Sequence, residues 1–257
     1  ETLPGALAVL DPKRAGCAYP YKELSGCGVA FKLAQGYAQR YGMEREALEE
    51  LLDLLVISIA ADIVPMTGEN RILAWHGLQR LNRSKRPGLN ALIEESRRTK
   101  PLSISDIVFG LAPMINAAGR LADADHAVKL MLAQDRYVAA ECARVLEYRN
   151  QLRRDFDQRT AEEAGALFAD YESERSSIVL YQPHWHKGIV GIAAARMVER
   201  FHRPAILLTR SGHVATGSAR SVPGFDLHEA LGLCSDLLIS YGGHAHAAGL
   251  SLLPENV

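Results

Sequence analysis

The stretch of the sequence best suited to chemistry is Gly-Gly-His-Ala-His-Ala-Ala-Gly, residues 242–249. Glycine allows positive φ angles and lets a ligand come close to the backbone, so Gly242 and Gly243 predict a tight turn that presents the imidazole of His244. An imidazole can bind a metal ion or donate a hydrogen bond to a phosphate oxygen. The apolar residues 250–253 predict a strand after the turn. A glycine-rich hairpin with a solvent-exposed histidine fits the octet equally well.

Asp62 is the second candidate, because it stands alone among small and apolar residues. We expect it to be buried, where an unpaired carboxylate is unfavourable. It therefore either caps the next turn or binds a cation, and both alternatives are open. Asp62 follows a helix predicted over residues 45–59, in which leucines at helical spacing form one apolar face. These leucines are Leu48, Leu51, Leu52 and Leu55.

Polar and small residues are combined at positions 116–120, Asn-Ala-Ala-Gly-Arg. This composition is unusual for a core helix, and Asn116 and Arg120 would suit contact with a sugar-phosphate backbone. Ser25 predicts the N-cap of a helix, whose glycine-rich start could face an anion, although a packed helix start is the simpler interpretation. The basic run over residues 80–100 is predicted to be a solvated face.

The elements that must position these residues change in character along the chain. Residues 6–10 predict a short buried strand that ends before Pro12. Residues 135–169 predict a helix of about 35 residues, roughly 50 Å long, with Asp135 as its N-cap. Its narrow apolar stripe is typical of a strut between two domains.

After Asp170 the pattern is that of an α/β domain. We predict strands over residues 178–181 and 204–209, and a third strand that is followed by residues 217–221. A helix is predicted to open at residues 185–191 and to continue to Phe201. Residues 225–240 are predicted to be largely helical.

The composition limits the broad class of protein. The chain has 257 residues, of which 48% are hydrophobic and 23% charged, as in ordinary globular proteins. Its net charge of −1 excludes a global positive field, so any nucleic-acid site must be a local patch. The four cysteines have no CxxC pairing and predict reduced thiols in a cytosolic protein. No apolar run is long enough for a membrane span, and the two ends suggest a piece of a longer chain.

Five segments occur in the order and spacing of the RecJ family of DHH/DHHA1 phosphoesterases, which the chain resembles over its whole length. They are ADIVP around Asp62, INAAGR ending at Arg120, WHKGIVG at residues 185–191, GSARS at residues 217–221 and the GGHxxAAG octet. The resemblance implies an α/β fold in three parts. These parts are the C-terminal part of a DHH domain (parallel sheet with helices) over residues 1–125, a long connecting helix over residues 126–172 and an α/β DHHA1 domain over residues 173–257.

The resemblance also implies an activity, namely 5′-to-3′ hydrolysis of phosphodiester bonds in single-stranded DNA during repair and recombination. Two Mn²⁺ or Mg²⁺ ions would catalyse it, since hard cations take carboxylate oxygens and paired ions stabilise the attacking and leaving oxygens. The implied partners are single-stranded DNA, a single-strand-binding protein and a helicase. The implied location is the cytoplasm, without a membrane.

The same resemblance assigns roles to individual residues. Asp62 is implied to be catalytic and a metal ligand, and His244 to be catalytic near the scissile phosphate. The other matched positions are implied to bind the substrate: Asn116, Arg120, Ser218, Arg220, Ser221, Gly242 and Gly243. Because a guanidinium fork suits phosphate, Arg220 with Ser218 and Ser221 resembles a pocket for the terminal 5′-phosphate.

The chain departs from the family's pattern in three ways. The DHD and DHH motifs, which supply most metal ligands, should lie upstream of Glu1, and the oligonucleotide-binding domain that follows DHHA1 in the family is missing. The chain alone is therefore expected to be inactive. Met114 stands where the family usually has arginine, which would remove one cation from the expected DNA track.

Two other functions stay open at this point. The first is a compact DHH phosphoesterase that acts on short oligoribonucleotides or cyclic dinucleotides. The INAAGR segment and the long helix argue against this function. The second is a non-catalytic replication scaffold of the same fold that has lost its metal ligands. The joint presence of Asp62, Arg220 and His244 speaks against the scaffold.

Overall fold

A computed structural model describes residues 3–169 and 175–257, and the chain divides into two compact units, residues 1–150 and 151–257. The first unit is helical in its described part, and the second contains a five-stranded sheet with helices. The predicted α/β class is therefore confirmed, but the parallel sheet expected within residues 1–125 is wrong for the described part, because residues 3–169 contain no strand. The boundary predicted between residues 125 and 126 stays a prediction, and the one between residues 172 and 173 lies outside the described residues.

The first unit is built from eight helices and the beginning of a ninth within the part that the structure describes. They are α1 (Gly26–Tyr41), α2 (Arg45–Glu49), α3 (Leu52–Ala61), α4 (Gly68–Arg83), α5 (Pro87–Glu95), α6 (Ile104–Asp106), α7 (Ala112–Leu121), α8 (Asp125–Leu132) and α9 (Arg136–Ala169). A π-helical turn, Ile107–Leu111, joins α6 to α7. The core of the unit is apolar and fully buried around Leu55, Leu92 and Leu111.

The strand predicted over residues 6–10 is wrong. This segment is irregular, and the side chains of Leu7 and Leu10 are exposed. An isolated strand leaves its backbone groups without partners. Among residues 3–169 no strand lies beside this segment to supply them.

The single helix predicted over residues 45–59 is also wrong, because it breaks into α2 and α3 at Glu50–Leu51. In an unbroken helix the carbonyl of Glu50 would accept a hydrogen bond from the amide of Leu54. Here Arg86 Nη2 donates to that carbonyl at 2.9 Å, and the amide of Leu54 donates to Asp53 Oδ1 at 2.8 Å. Side chains therefore occupy the backbone groups that would join α2 to α3.

The long helix is confirmed. The described helix α9 spans 34 residues, and Asp135 Oδ1 accepts hydrogen bonds from the amides of Tyr137 and Val138 at its start. The division between the two units falls within α9, between Asn150 and Gln151. Among the described helices, none is long and apolar enough to cross a membrane.

The second unit is organised by a sheet in the order β1-β2-β3-β5-β4. Its strands are β1 (Ile178–Tyr181), β2 (Ala205–Ser211), β3 (Val214–Arg220), β4 (Leu238–His244) and β5 (Ala247–Leu252), and its helices are α10 (Val190–Phe201) and α11 (Leu227–Leu233). β1 and β2 are parallel, as a crossover through α10 requires, and all other pairs are antiparallel. The predicted strands 178–181 and 204–209 are confirmed within one or two residues.

Two local predictions in the second unit are corrected. Residues 217–220 do not follow the third strand but form its second half, because they pair with both β2 and β5. Residues 225–240 are helical only over α11 and a short 3₁₀ turn, Ser235–Leu237, after which β4 begins. Pairing with β5 outweighs the local helical pattern at residues 238–240, as tertiary context often does.

The buried carboxylate of Asp53 is the polar centre of the first unit and generates a stability prediction. Arg86 Nε lies 3.0 Å from Asp53 Oδ2, and Ser84 Oγ donates to the same oxygen at 2.8 Å. We expect Asp53→Ala to lower the free energy of unfolding by about 3–5 kcal/mol, because it leaves the Arg86 charge without its partner. Urea denaturation of the chain measures this. Glu141→Ala, an exposed position in α9, is the control and should change it by less than about 0.5 kcal/mol.

Candidate nucleic-acid interface

The octet forms a hairpin rather than a turn at its glycines. Gly242 and Gly243 lie within β4, His244 is its last residue, and Ala245 and His246 form the turn into β5. The turn therefore comes two residues later than predicted, although it still presents an exposed His244 at the end of a strand. Gly243 has φ +147°, and a Cβ there would overlap the backbone of β5, so this glycine is required by the hairpin itself.

Sheet register places His244 and Arg220 in one row. Arg220 of β3 and His244 of β4 both pair with Ala247 of the intervening β5. Directly paired residues point to the same face, and the two outer strands are about 10 Å apart. Ser218, Gly249 and Gly242 form the neighbouring row on that face.

The small residues between Arg220 and His244 leave the backbone uncovered. A Cβ at Gly242 would meet no atom within 4 Å, and one at Gly249 would meet only the carbonyl of Gly217 at 3.9 Å. We call the surface formed by Gly242, Ala247 and Gly249 the ledge. It is an open strip of sheet with a guanidinium on one side and an imidazole on the other.

Helix α10 completes the cationic side of the ledge. Arg220 Nη1 donates to Ser218 Oγ at 2.7 Å and to the carbonyl of Ala219 at 2.8 Å. A Cβ on Gly191, in the first turn of α10, would lie 3.0 Å from both Arg220 Nη2 and Ser218 Oγ. A helix N-terminus, a guanidinium and a hydroxyl therefore converge, which is a favourable arrangement for an anion.

The loop before α10 is fixed by contacts between Trp185 of the WHKGIVG segment and residues that the sequence did not single out. Glu163 of α9 accepts a hydrogen bond from the indole of the buried Trp185 at 2.8 Å and lies 3.0 Å from His184 Nε2. Burial alone would raise the pKa of Glu163, but the hydrogen bonds from Trp185 and His184 outweigh it and hold this pKa below its ordinary value. Thr209 Oγ1 donates to the carbonyl of Trp185 at 2.6 Å. The start of α10 is thereby held against the sheet.

The imidazole of His244 has a defined hydrogen-bond role. Its Nδ1 accepts from the amide of His246 at 3.2 Å, so in the neutral ring the proton resides on Nε2, which is a donor. Ser221 is used differently from the prediction. Its hydroxyl donates to the carbonyl of Phe225 at 2.7 Å, and its amide donates to the carbonyl of His246. Ser221 thus secures the loop beside the hairpin, and a role in binding phosphate stays a prediction.

Asp62 is exposed, so the expectation that it is buried is wrong. It is the C-cap of α3, where the chain leaves the core before the positive-φ residue Ile63. Nor does it cap the next turn, since α4 begins at Gly68 after Thr67. Ser58 Oγ donates to Asp62 Oδ2 at 3.1 Å.

The start of α1 faces this carboxylate. Ser25 Oγ caps α1 by accepting from the amide of Gly28 at 3.1 Å, as predicted, and it lies 3.0 Å from Ser58 Oγ. Burial raises the pKa of the Cys27 thiol, and the negative charge of Asp62 raises it further. An exposed carboxylate beside a helix N-terminus can bind a hard cation or a polar ligand.

The predicted backbone-contacting residues lie on the open face of α7. Asn116 and Arg120 are exposed one turn apart, whereas Ala117 and Ala118 are fully buried. The small residues therefore pack the core and do not line a ligand site. Met114 is also buried, with 1% of its surface exposed, so in this chain the side chain at this position packs in the core, and its effect on DNA binding stays a prediction. It points inward because it lies one turn before Ala118.

The structure brings Ser218, Arg220 and His244 together in the second unit, while Asp62, Asn116 and Arg120 belong to the first. Within residues 3–169 and 175–257, no group of three or more His, Cys, Asp or Glu side chains is placed to hold a metal ion. The carboxylate of Asp62 could serve as one ligand of a hard cation. The residues described do not by themselves fit a site for two ions.

The second unit matches a known family model, and the whole chain has close relatives. Residues 174–257 match the DHHA1 domain. The chain is 42% identical, over 99% of its length, to the single-stranded-DNA-specific exonuclease RecJ of Bacillus subtilis. It is 39% identical, over 98% of its length, to RecJ of Escherichia coli. It spans 32% of the first relative and 47% of the second.

Solved structures give the same result. The crystal structure of RecJ from Thermus thermophilus in complex with Mg²⁺ matches with a TM-score of 0.83 and 32% identity, covering 93% of this chain and 38% of that one. A crystal structure of exonuclease RecJ bound to manganese matches with a TM-score of 0.79 and 33% identity, covering 91% and 58%. The chain therefore contains a DHHA1 domain, and nearly all of it is homologous to a part of the RecJ single-stranded-DNA-specific exonucleases.

Proposed function

We propose that the full-length protein is a 5′-to-3′ exonuclease that hydrolyses single-stranded DNA in repair and recombination. The observation that carries the proposal is the ledge with Arg220, Ser218 and the start of α10 on one side and His244 on the other. The relatives, which are named as single-stranded-DNA-specific exonucleases, support this substrate. The direction of digestion rests on the resemblance to them.

The proposed substrate lies with its terminal 5′-phosphate against Arg220. A phosphate monoester carries more charge than the diesters within a strand, so a guanidinium, a hydroxyl and a helix N-terminus favour the end of the strand. Gly191 suits this site because a Cβ here would lie 3.0 Å from both Arg220 Nη2 and Ser218 Oγ and would press on the two groups proposed to bind the phosphate. The sugar that follows then crosses the ledge, where Gly242 and Gly249 leave room for it.

His244 would act on the next phosphate. Its Nε2–H donor can hydrogen-bond a non-bridging oxygen of the scissile diester and stabilise the charge that develops there. Asn116 and Arg120 on α7 are proposed to contact the backbone of the strand. Gly243 keeps the hairpin in shape and Ser221 secures the neighbouring loop.

Divalent metal ions are proposed as the cofactor, since RecJ structures are known in complex with Mg²⁺ and Mn²⁺. Asp62 is proposed as one ligand, because its carboxylate is exposed and its oxygens suit a hard cation. Among residues 3–169 and 175–257, no group of three or more His, Cys, Asp or Glu side chains completes this site. Cytoplasmic location and the partnership with a single-strand-binding protein and a helicase are proposed from the resemblance alone.

The phosphate pocket generates the first functional prediction. In the full-length protein, Arg220→Gln should reduce the preference for 5′-phosphorylated over 5′-hydroxyl single strands by about 10- to 100-fold, the effect of one charged hydrogen-bonding group. Nuclease rates on the two substrates measure this preference. Gly191→Ala should reduce it as well, while Gly36→Ala, an open helical position in α1, should not. Equal loss on both substrates would contradict the pocket.

Asp62 gives the second functional prediction. Asp62→Asn removes a charge that a hard cation requires, so Mn²⁺-dependent release of nucleotides should fall below detection while the fold is retained. Asp236→Asn, a carboxylate of the second unit, is the matched control and should keep full activity. Mn²⁺ titration calorimetry adds a readout that is independent of turnover. Unchanged metal binding in Asp62→Asn would rule out the ligand role.

His244 gives the third functional prediction. His244→Ala should lower kcat by roughly 10²- to 10³-fold with little change in KM, because it removes a donor that acts on charge developing in the transition state. Steady-state kinetics on single-stranded DNA separate the two constants. The control is His213→Ala in the β2–β3 turn. A rise in KM at constant kcat would instead make His244 a binding residue.

A further inference from the structure

The loop between α4 and α5 borders two adjoining clefts in the first unit. The first has a volume of about 460 Å³ and reaches from this loop to Met131 and Gln134, and the second, of about 360 Å³, reaches to Arg136. Ser84, Lys85 and Pro87 line both clefts. We call the two together the basic groove. It shares no residue with the ledge, with Asp62 or with the exposed face of α7.

The charges around the first cleft do not balance. Its four cations are Arg80, Arg83, Lys85 and Arg86, and its two anions are Glu50 and Asp53. Asp53 is neutralised by Arg86, and Glu50 lies 3.6 Å from Arg80. Arg83 and Lys85 are exposed and form no ion pair in the part of the chain that the structure describes. The cleft therefore has two surplus positive charges.

The floor of the groove is rigid, which favours binding over simple solvation. Asp53, Arg86 and Ser84 are joined by the buried contacts described above. On the far side of the loop, Lys100 Nζ donates to Asn90 Oδ1 at 2.9 Å. Gly88 packs directly on the carbonyl of Leu130, where a Cβ would overlap it. The end of α4 and the loop after it, which present Arg83 and Lys85, are thus held by contacts, so this backbone loses little conformational entropy when a ligand binds.

The form of the groove favours a polyanion with charges along a chain. Cations line both clefts: Arg83 and Lys85 line the first, and Lys85 and Arg136 line the second, where Glu94 is the opposing acid. Met131 is the one long aliphatic side chain of the first cleft, so a peptide with an apolar anchor would find little to contact. The phosphodiesters of a nucleic-acid backbone are bound through charge and need no apolar anchor, so they fit this groove better than such a peptide does.

We propose that the basic groove binds the backbone of single-stranded DNA, as a contact additional to those at Arg220, Asn116 and Arg120. The proposal rests on the proposed function, in which single-stranded DNA is the substrate. The groove holds strands long enough to reach it, and it takes no part in cleaving very short ones. It adds a binding role to the basic run over residues 80–100, which the sequence predicts only to be a solvated face.

The test compares this chain with Arg83→Glu/Lys85→Glu by fluorescence anisotropy, using a labelled thymidine oligonucleotide of about 30 nucleotides. We expect Kd to rise at least about tenfold at low salt, and the slope of log Kd against log salt to fall by about 1.4, for two contacts on a single strand. The charge-matched control is Arg175→Glu/Arg210→Glu, two exposed cations outside both clefts. It should change Kd by less than about twofold.

Two further variants distinguish a loss of DNA binding caused by the changed charges from one caused by a folding defect. Arg83→Gln/Lys85→Gln removes the charges without reversing them and should weaken binding in the same direction. Arg136→Glu alone should give a smaller loss than the reversal of Arg83 and Lys85. Unchanged Kd and slope in the double variants, or no binding by the parent chain, would overturn the proposal. No DNA binding by the parent chain, together with binding of a labelled aspartate-rich peptide that depends on Arg83 and Lys85, would overturn the proposal and assign the groove to protein instead.

Cleavage by the full-length protein separates this proposal from the proposed function. We expect Arg83→Glu/Lys85→Glu to cleave a 5′-phosphorylated trinucleotide at the parent rate and to lose activity on long strands. If the parent protein cleaves neither substrate but its DNA binding depends on Arg83 and Lys85, the proposed function fails and the groove stands. If Arg83→Glu/Lys85→Glu changes the cleavage rates of long and short substrates equally, the proposal for the groove is overturned and the proposed function stands.

Discussion

The candidate interface in the second unit depends on the register of three strands. Arg220 and His244 belong to β3 and β4, which do not touch, and both are aligned by pairing with Ala247 of β5. A slip of one residue would move every side chain of a strand to the opposite face. Register, rather than any single contact of the two functional side chains, therefore creates the ledge.

A β-bulge in β4 decides on which face His244 lies. Leu238 pairs with Leu252 and packs on the core beside α11, but the pairing shifts before Ser240, which pairs with Ser251. One extra residue in a strand reverses the alternation beyond it. Without the bulge His244 would share the face of Leu238 and point towards the core. With it, β4 begins on the core and ends with its histidine exposed.

The sequence predicts element types well where the cause is local. Asp135 and Ser25 cap the predicted helices because short polar side chains satisfy the first amides of a helix wherever they occur. The break between α2 and α3 could not be predicted in the same way, since it depends on Arg86, more than thirty residues further along the chain. The same holds for Glu163, whose partners Trp185 and His184 lie in another element.

In the candidate site, too, the sequence predicts the features with a local cause and misses those that depend on distant residues. The octet predicts an exposed histidine, and that part needs only the composition of the hairpin. Sequence spacing could not distinguish glycines that the hairpin requires, such as Gly243, from glycines that leave open space, such as Gly242. At residues 116–120 it could not reveal that the two alanines face the core, because that depends on how α7 is rotated against α3.

Net charge is a poor guide to nucleic-acid binding in a chain of this kind. At −1 the total suggests indifference to DNA, but the field that an approaching strand meets is set by charges within about 10 Å of it. Ion pairs such as those of the buried Asp53 with Arg86 and of the buried Asp157 with Arg196 add nothing to the total, and they offer no free carboxylate to the solvent. The cations outside such pairs then determine the local field. A nearly neutral chain can thus present locally basic surfaces.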